Sequence, residues 1–128
     1  MSLTNQITVV GNLVDDPELR FNDAGKARMT GRIAINDSYK KGDTWATRTT
    51  YMNIVAWDGL AENCAQSFVK GDRIVVIGRY QESQYDNASG VRSYYSEIVC
   101  NEIAGSVKWA ITNMVKSTQA EREELANA

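Results

Sequence analysis

Between Ile7 and Ile103 the dominant pattern is apolar side chains returning at every second position in short runs, which clusters of Gly, Asn, Asp and Pro separate. A period of two is strand spacing, so the chain is predicted to be rich in β-structure. Ile7, Val9, Gly11 and Leu13 alternate with Thr8, Val10 and Asn12 in a first strand. Asp15-Asp16-Pro17-Glu18 ends it, because proline cannot donate to a ladder. Asn22-Asp23-Ala24-Gly25 marks a second turn. A second strand spans 27–38, with Met29, Ile33 and Ile35 on one face and Arg28, Thr30 and Arg32 on the other. Lys40-Lys41-Gly42-Asp43 reads as a hairpin tip before a third strand at 47–57. A fourth strand at 72–84 and a fifth at 91–103 flank another tip, Asp86-Asn87-Ala88-Ser89-Gly90.

One stretch breaks the alternation. Residues 58–71 place Leu60, Ala61, Cys64 and Phe68 on one helical stripe. Asp58 is positioned to cap this helix, Glu62 lies near its positive end, Lys70 near its negative end, and Gly71 is placed for a C-cap. Three strands, a helix, then two strands is the order of the OB-fold, a partly open five-stranded Greek-key barrel. The predicted class is therefore all-β with one short helix between the third and fourth strands. After Gly105, Val107, Trp109 and Ile111 alternate with Lys108, Ala110 and Thr112, which favours an added C-terminal strand; a helical face of Val107, Ile111 and Met114 is the other option. Residues 1–116 are read as one domain and 117–128 as a polar tail, frayed or forming a short helix.

Composition narrows the chemistry. The chain has 128 residues, 43% hydrophobic and 23% charged, enough for one domain with its own core. No apolar run approaches the roughly 18 residues of a membrane span, and the N-terminus shows no basic segment followed by an apolar stretch, so no signal peptide is expected. There is no histidine, which removes His-based triads and His-bound zinc. Cys64 and Cys100 are too few for a disulfide framework or a four-cysteine metal site and read as buried free thiols in a reducing cytoplasm. No cofactor and no metal are expected, nor is an enzyme: there are no paired carboxylates in an apolar pattern, no Gly-rich phosphate loop and no nucleophile beside a base. Asp15, Asp16 and Glu18 read as loop charges beside a proline turn.

Charge is unevenly placed. The whole chain carries a net charge of −2, with a sequence pI near 5.1. Yet Lys26–Arg48 holds six basic residues (Lys26, Arg28, Arg32, Lys40, Lys41, Arg48) against Asp37 and Asp43. On the third strand the apolar set Met52, Ile54 and Ala56 belongs inside, which leaves Tyr51 and Trp57 outside, about 20 Å apart at strand rise. Taken alone, two outward aromatics are as consistent with packing under a loop or a neighbouring subunit as with binding. Their companions are Arg28 and Arg32 on the second strand, Tyr39 and Trp45 about the tip, Arg48, and Tyr85 on the opposite hairpin. Aromatic rings interleaved with cations suit unpaired nucleic acid, whose bases stack and whose phosphates meet Lys and Arg. The acidic pI points the other way.

These motifs resemble those of bacterial and phage single-stranded-DNA-binding proteins of the OB-fold type. The resemblance rests on Val10-Gly11-Asn12-Leu13, then Asp16-Pro17-Glu18-Leu19-Arg20-Phe21, the third-strand aromatics with Leu60-Ala61-Glu62, and Lys70-Gly71 with the strand from Ile74 to Gly78. Residues 101–110 also look like actinobacterial members, some of which carry an extra strand that clasps a neighbouring subunit. The resemblance places stacking aromatics at Tyr39, Tyr51, Trp57 and Tyr85; Trp45 joins them on loop position. Phosphate binding is expected at Arg28, Arg32, Lys40, Lys41, Arg48, Lys70, Arg73 and Arg79. Departures from the family pattern are Asp58-Gly59 in place of a lysine, Gly31 where a bulky apolar residue is usual, suggesting a bulge or close approach, and an ending at Glu123-Glu124-Leu125-Ala126-Asn127-Ala128 without the acidic, Phe-terminated tip that recruits repair and replication proteins. That ending is expected of a paralogue, a phage member or a truncated chain.

The resemblance further implies dimers through first-strand pairing and tetramers through sheet faces. Subunit contacts are expected at Ile7 and Val9, at the outward Val75 and Ile77, and at Trp109; Arg73 then serves either assembly or DNA. The expected function is sequence-independent binding of single-stranded DNA in replication, recombination and repair by a cytoplasmic, nucleoid-associated homotetramer. The alternative is an OB-fold adaptor of primosome type, whose aromatics contact protein.

Overall fold

The computed structural model describes residues 4–126, as β1 (Ile7–Leu13), β2 (Glu18–Phe21), β3 (Ala27–Lys41), β4 (Thr44–Trp57), α1 (Asp58–Ser67), β5 (Arg73–Asp86), β6 (Arg92–Gly105) and α2 (Gln119–Ala126). The strands follow the order β1-β5-β6-β4-β3-β2, and β1 also pairs with β3 through Asn12↔Ala34 and Leu13↔Ile33. That second pairing closes five strands into a barrel, with β2 added outside on β3. All pairs are antiparallel except β4 with β6, registered at Ile54↔Ile98 and Val55↔Val99. A parallel pair needs a long crossover, and here α1 and β5 supply it. This is the OB-type barrel expected from the order of elements.

Alternation explains the core. Met29, Ile33, Ile54, Ile74, Val76 and Ile98 turn inward and are sealed from solvent, with Ala61 and Cys64 of α1 completing the cluster. The β5–β6 ladder shifts register between Ile77↔Glu102 and Gly78↔Cys100. Glycine is required there: a Cβ on Gly78 would lie 2.2 Å from the Val99 carbonyl oxygen. The shift bends the hairpin as a bulge does.

Several expectations are corrected. The extra strand is β2, paired from Glu18↔Thr30 to Phe21↔Ala27, and not residues 107–112. The Ser106 N–H bonds to the Arg73 carbonyl at 2.9 Å, after which the chain leaves the barrel with no ladder partner. Alternating apolar residues form a strand only where a neighbouring edge takes their backbone groups. Gly31 marks no bulge: it pairs regularly with Ile54, and the close approach expected there is by the Ile54 side chain, which a Cβ on Gly31 would meet at 3.3 Å. The helix ends at Ser67 and not near Gly71. Phe68 is its C-cap, and Gly71, at φ +93°, donates its N–H to the Leu13 carbonyl in the following turn. Asp58 is no cap either. It begins the helix at φ 60°, which Asp tolerates better than most residues, and its carboxylate lies 3.9 Å from Lys26 Nζ. Of the two forms expected for the tail, residues 119–126 take the short helix. Thr118 Oγ1 accepts from the Glu121 N–H (3.1 Å) while Thr118 N–H donates to Glu121 Oε2 (3.2 Å), a reciprocal capping box that starts α2.

Candidate nucleic-acid interface

The β3–β4 hairpin is paired without interruption from Arg28↔Trp57 to Lys41↔Thr44. An unbroken register assigns each side chain to one of two faces. The outer face carries Arg28, Arg32 and Lys40 from β3 with Trp45, Tyr51 and Trp57 from β4. Cations sit against the rings. Arg28 Cζ lies 5.6 Å and Lys26 Nζ 5.7 Å from the Trp57 ring centre, and Arg32 Cζ 4.6 Å from that of Tyr51. All three rings stay open to solvent, Trp45 most of all at 73%. Between them Val55, though on the same face, is buried and makes the floor of the strip.

The expected stacking set is split by this register. Tyr39 pairs across the ladder with Ala46, so it lies on the opposite face of the hairpin, with Lys41 and Arg48. Arg48 Cζ sits 5.1 Å from its ring. Within the barrel that face is core; beyond Ile35 the hairpin projects as an arm, and both faces are exposed.

The β5–β6 hairpin adds to the strip. Its parallel pairing to β4 at Val55↔Val99 puts Val99, Glu97 and Tyr95 on the outer face, and antiparallel pairing adds Arg79, Gln81, Ser83 and Tyr85. Tyr85 and Arg79 are exposed at this face. Tyr95 was missed from sequence, although its alternation with Ser93, Glu97 and Val99 was there to read. Burial and then Glu97 raise its hydroxyl pKa, while Arg28 lowers it, which places all three in one electrostatic neighbourhood. Glu97 is buried; Gln81 Nε2 reaches its Oε1 only at 3.5 Å, and its Oε2 has no hydrogen-bond partner among the described residues. Arg92 is occupied by Asp86, 3.7 Å away at the hairpin tip.

Other expected residues lie elsewhere. Lys70 is in the α1–β5 turn, its N–H held by Asp16 Oδ1 at 2.7 Å. Arg73 faces outward at the start of β5, its Cζ 4.7 Å from the ring centre of Trp109, which is itself exposed. Ile7 and Val9 are half-buried and pack against the core; the outward side chains of β1 are Thr8 and Val10, beside the half-buried Val75 and Ile77 of β5. Cys64 and Cys100 are buried free thiols, pushed up by desolvation to about 11 and about 12. No group of three or more acidic, Cys or His residues among those described could hold a metal, and no helix there is long and apolar enough to cross a membrane.

A closed OB-type barrel with cation-flanked rings open along one outer face has the surface chemistry of the nucleic-acid-binding class of such barrels. Comparison with known families agrees with that class: residues 4–105 match the Single-strand binding protein family, and the chain belongs to it. The chain is 34% identical over 115 residues to single-stranded DNA-binding protein 2 of Streptomyces coelicolor, covering 88% of this chain and 58% of that protein. It is 35% identical over 99 residues to single-stranded DNA-binding protein B of Bacillus subtilis, covering 77% and 87%. The single-stranded DNA-binding protein of Paenarthrobacter aurescens is 35% identical over 107 residues, covering 81% and 63%. The chain thus spans under two thirds of the Streptomyces and Paenarthrobacter proteins. The family is one of binding proteins and not of enzymes.

Proposed function

We propose that this chain binds single-stranded DNA without sequence preference, by stacking bases on Trp45, Tyr51, Trp57, Tyr85 and Tyr95 while Arg28, Arg32, Lys40 and Arg79 meet phosphates. The observation that carries this reading is the pairing of open rings with cations along one face, at 5.6 Å for Arg28–Trp57 and 4.6 Å for Arg32–Tyr51. Duplex DNA hides its base faces, so the strip selects unpaired strands. Stacking is worth about 1–3 kcal/mol per base and tolerates any sequence. Tyr39, Lys41 and Arg48 take part only if the strand wraps around the arm.

Such a chain protects exposed strands in replication, recombination and repair, in association with the nucleoid. Assembly into a homotetramer, a dimer of dimers, uses two surfaces. Among the described residues Ile7–Gly11 of β1 are laddered on β5 alone, which leaves their other edge for a second β1. Val75 and Ile77, with Val10, form an apolar patch between Arg73 and Arg79 for a second contact.

The test is a tryptophan-fluorescence titration with oligo(dT), repeated with duplex DNA and at two salt concentrations. Quenching by the single strand alone, weakened by salt, supports the reading. No quenching and no binding by either nucleic acid overturns it and makes the rings a protein-contact surface of an adaptor.

A further inference from the structure

Trp109 lies outside the β3–β4 strip, yet its surroundings repeat those of Trp57. Trp57 has Lys26 at 5.7 Å and Arg28 at 5.6 Å from its ring centre; Trp109 has Lys108 at 4.9 Å and Arg73 at 4.7 Å. Its indole is 72% exposed. The position is set by the barrel: Ser106 N–H bonds the Arg73 carbonyl, and Ser106 Oγ accepts from the Lys108 N–H at 3.3 Å. Neither cation has a carboxylate within 4.0 Å in the ion pairs of the described residues, and Arg73 Nε has no hydrogen-bond partner there. Two uncompensated cations beside an open indole are poorly suited to burial against an apolar protein surface, which would strip their water without pairing them. An unpaired nucleic acid satisfies both features, with a base on the ring and phosphates on the cations.

We propose that Trp109, with Arg73 and Lys108, is a second stacking site for single-stranded DNA. It is reached only by strands long enough to run from the β3–β4 strip around the barrel to the start of β5. This rests on the function proposed above, and it assigns to nucleic acid a residue that the family resemblance placed at a subunit contact.

The chain has three tryptophans, so Trp45→Phe with Trp57→Phe leaves Trp109 as the sole indole. That variant is titrated with oligo(dT) of increasing length. Binding is followed independently by the anisotropy of end-labelled oligonucleotide, and oligomeric state by sedimentation velocity. Long strands are expected to quench Trp109 and the shortest bound strands to leave it unchanged. Trp109→Ala is expected to lower the long-to-short affinity ratio about 5- to 150-fold. Lys108→Ala should reduce the salt slope on long strands by about 0.7. The proposal is overturned if long strands bind by anisotropy while Trp109 emission stays constant, or if Trp109→Ala dissociates the oligomer and leaves the affinity ratio intact, the mark of a subunit contact. Failure of the wild type to bind any single strand instead defeats the underlying function, which the anisotropy of the wild type reads separately.

Discussion

The two ends of the β3–β4 hairpin share one unbroken ladder but live in different surroundings. At the barrel end, Met29, Ile33, Ile54 and Ala56 are sealed beneath, so only the opposite face, with Arg28, Arg32, Tyr51 and Trp57, meets solvent. At the arm end no core lies beneath, and Tyr39 with Arg48 occupies one face while Trp45 with Lys40 occupies the other. The same alternation therefore makes a one-sided site where a core backs it and a two-sided surface where none does. Affinity and stability are separable along one pair of strands for this reason.

The largest expected effect tests the backing. Ile54→Ala should destabilise the fold by about 2–5 kcal/mol, since it opens a cavity in the packed barrel. Thr47→Ala, on the exposed arm, should stay within about 0.5 kcal/mol. Urea unfolding measures both, and equal losses would break the distinction. Next comes the one-sided site. Trp57→Ala should weaken oligo(dT) binding by about 1–3 kcal/mol, read by anisotropy, with a smaller loss of stability than Ile54→Ala because the Trp57 ring is partly open to solvent. A smaller difference sharpens the account of the arm. Trp45→Ala should weaken binding more than Tyr39→Ala, because Trp45 shares its face with Tyr51 and Trp57; equal losses would show a strand wrapped around both faces.

The smallest effect concerns the barrel interior. The thiols of Cys64 and Cys100 ionise near 9.0 when unfolded but only at about 11 and about 12 when folded. The folded state thus holds these protons more tightly, so the stability present below pH 9 is lost as pH rises toward the folded values. Between pH 8 and 9 the loss should be about 0.4 kcal/mol per thiol, seen in urea midpoints and removed for one thiol by Cys64→Ala. The arm has no such group, so Arg48→Ala should leave this pH dependence intact.

Much of this was legible in the chain. Alternation located the five barrel strands and both long hairpins, and a helical stripe located α1. The face of Tyr39, opposite that of Trp45, was also there to read, since Tyr39 shares parity with Met29, Ile33 and Ile35 along one strand. The Thr118-to-Glu121 spacing likewise announced a helix start in the tail. Other features were hidden. The four residues of β2 are too few to show a period, and they form a strand because β3 offers an edge from Ala27 to Thr30. Residues 107–112 have the period and no edge. Asp58 looks like a cap, but the chain enters α1 with Asp58 turned toward Lys26.

By itself the sequence determined which side chains alternate, where turns interrupt them, and that aromatics and cations fall at outward positions of the third strand. Local spacing is enough for those, because neighbouring residues on a strand face opposite ways whatever the strand pairs with. Only the tertiary structure decided which outward residues share one surface. The parallel pairing of Val55 with Val99 brings Tyr95 and Glu97 beside the β4 aromatics, and closure of β1 onto β3 completes the barrel. Such pairings join residues far apart in the chain, and their register is set by burying all the inward side chains together. No local pattern contains that condition.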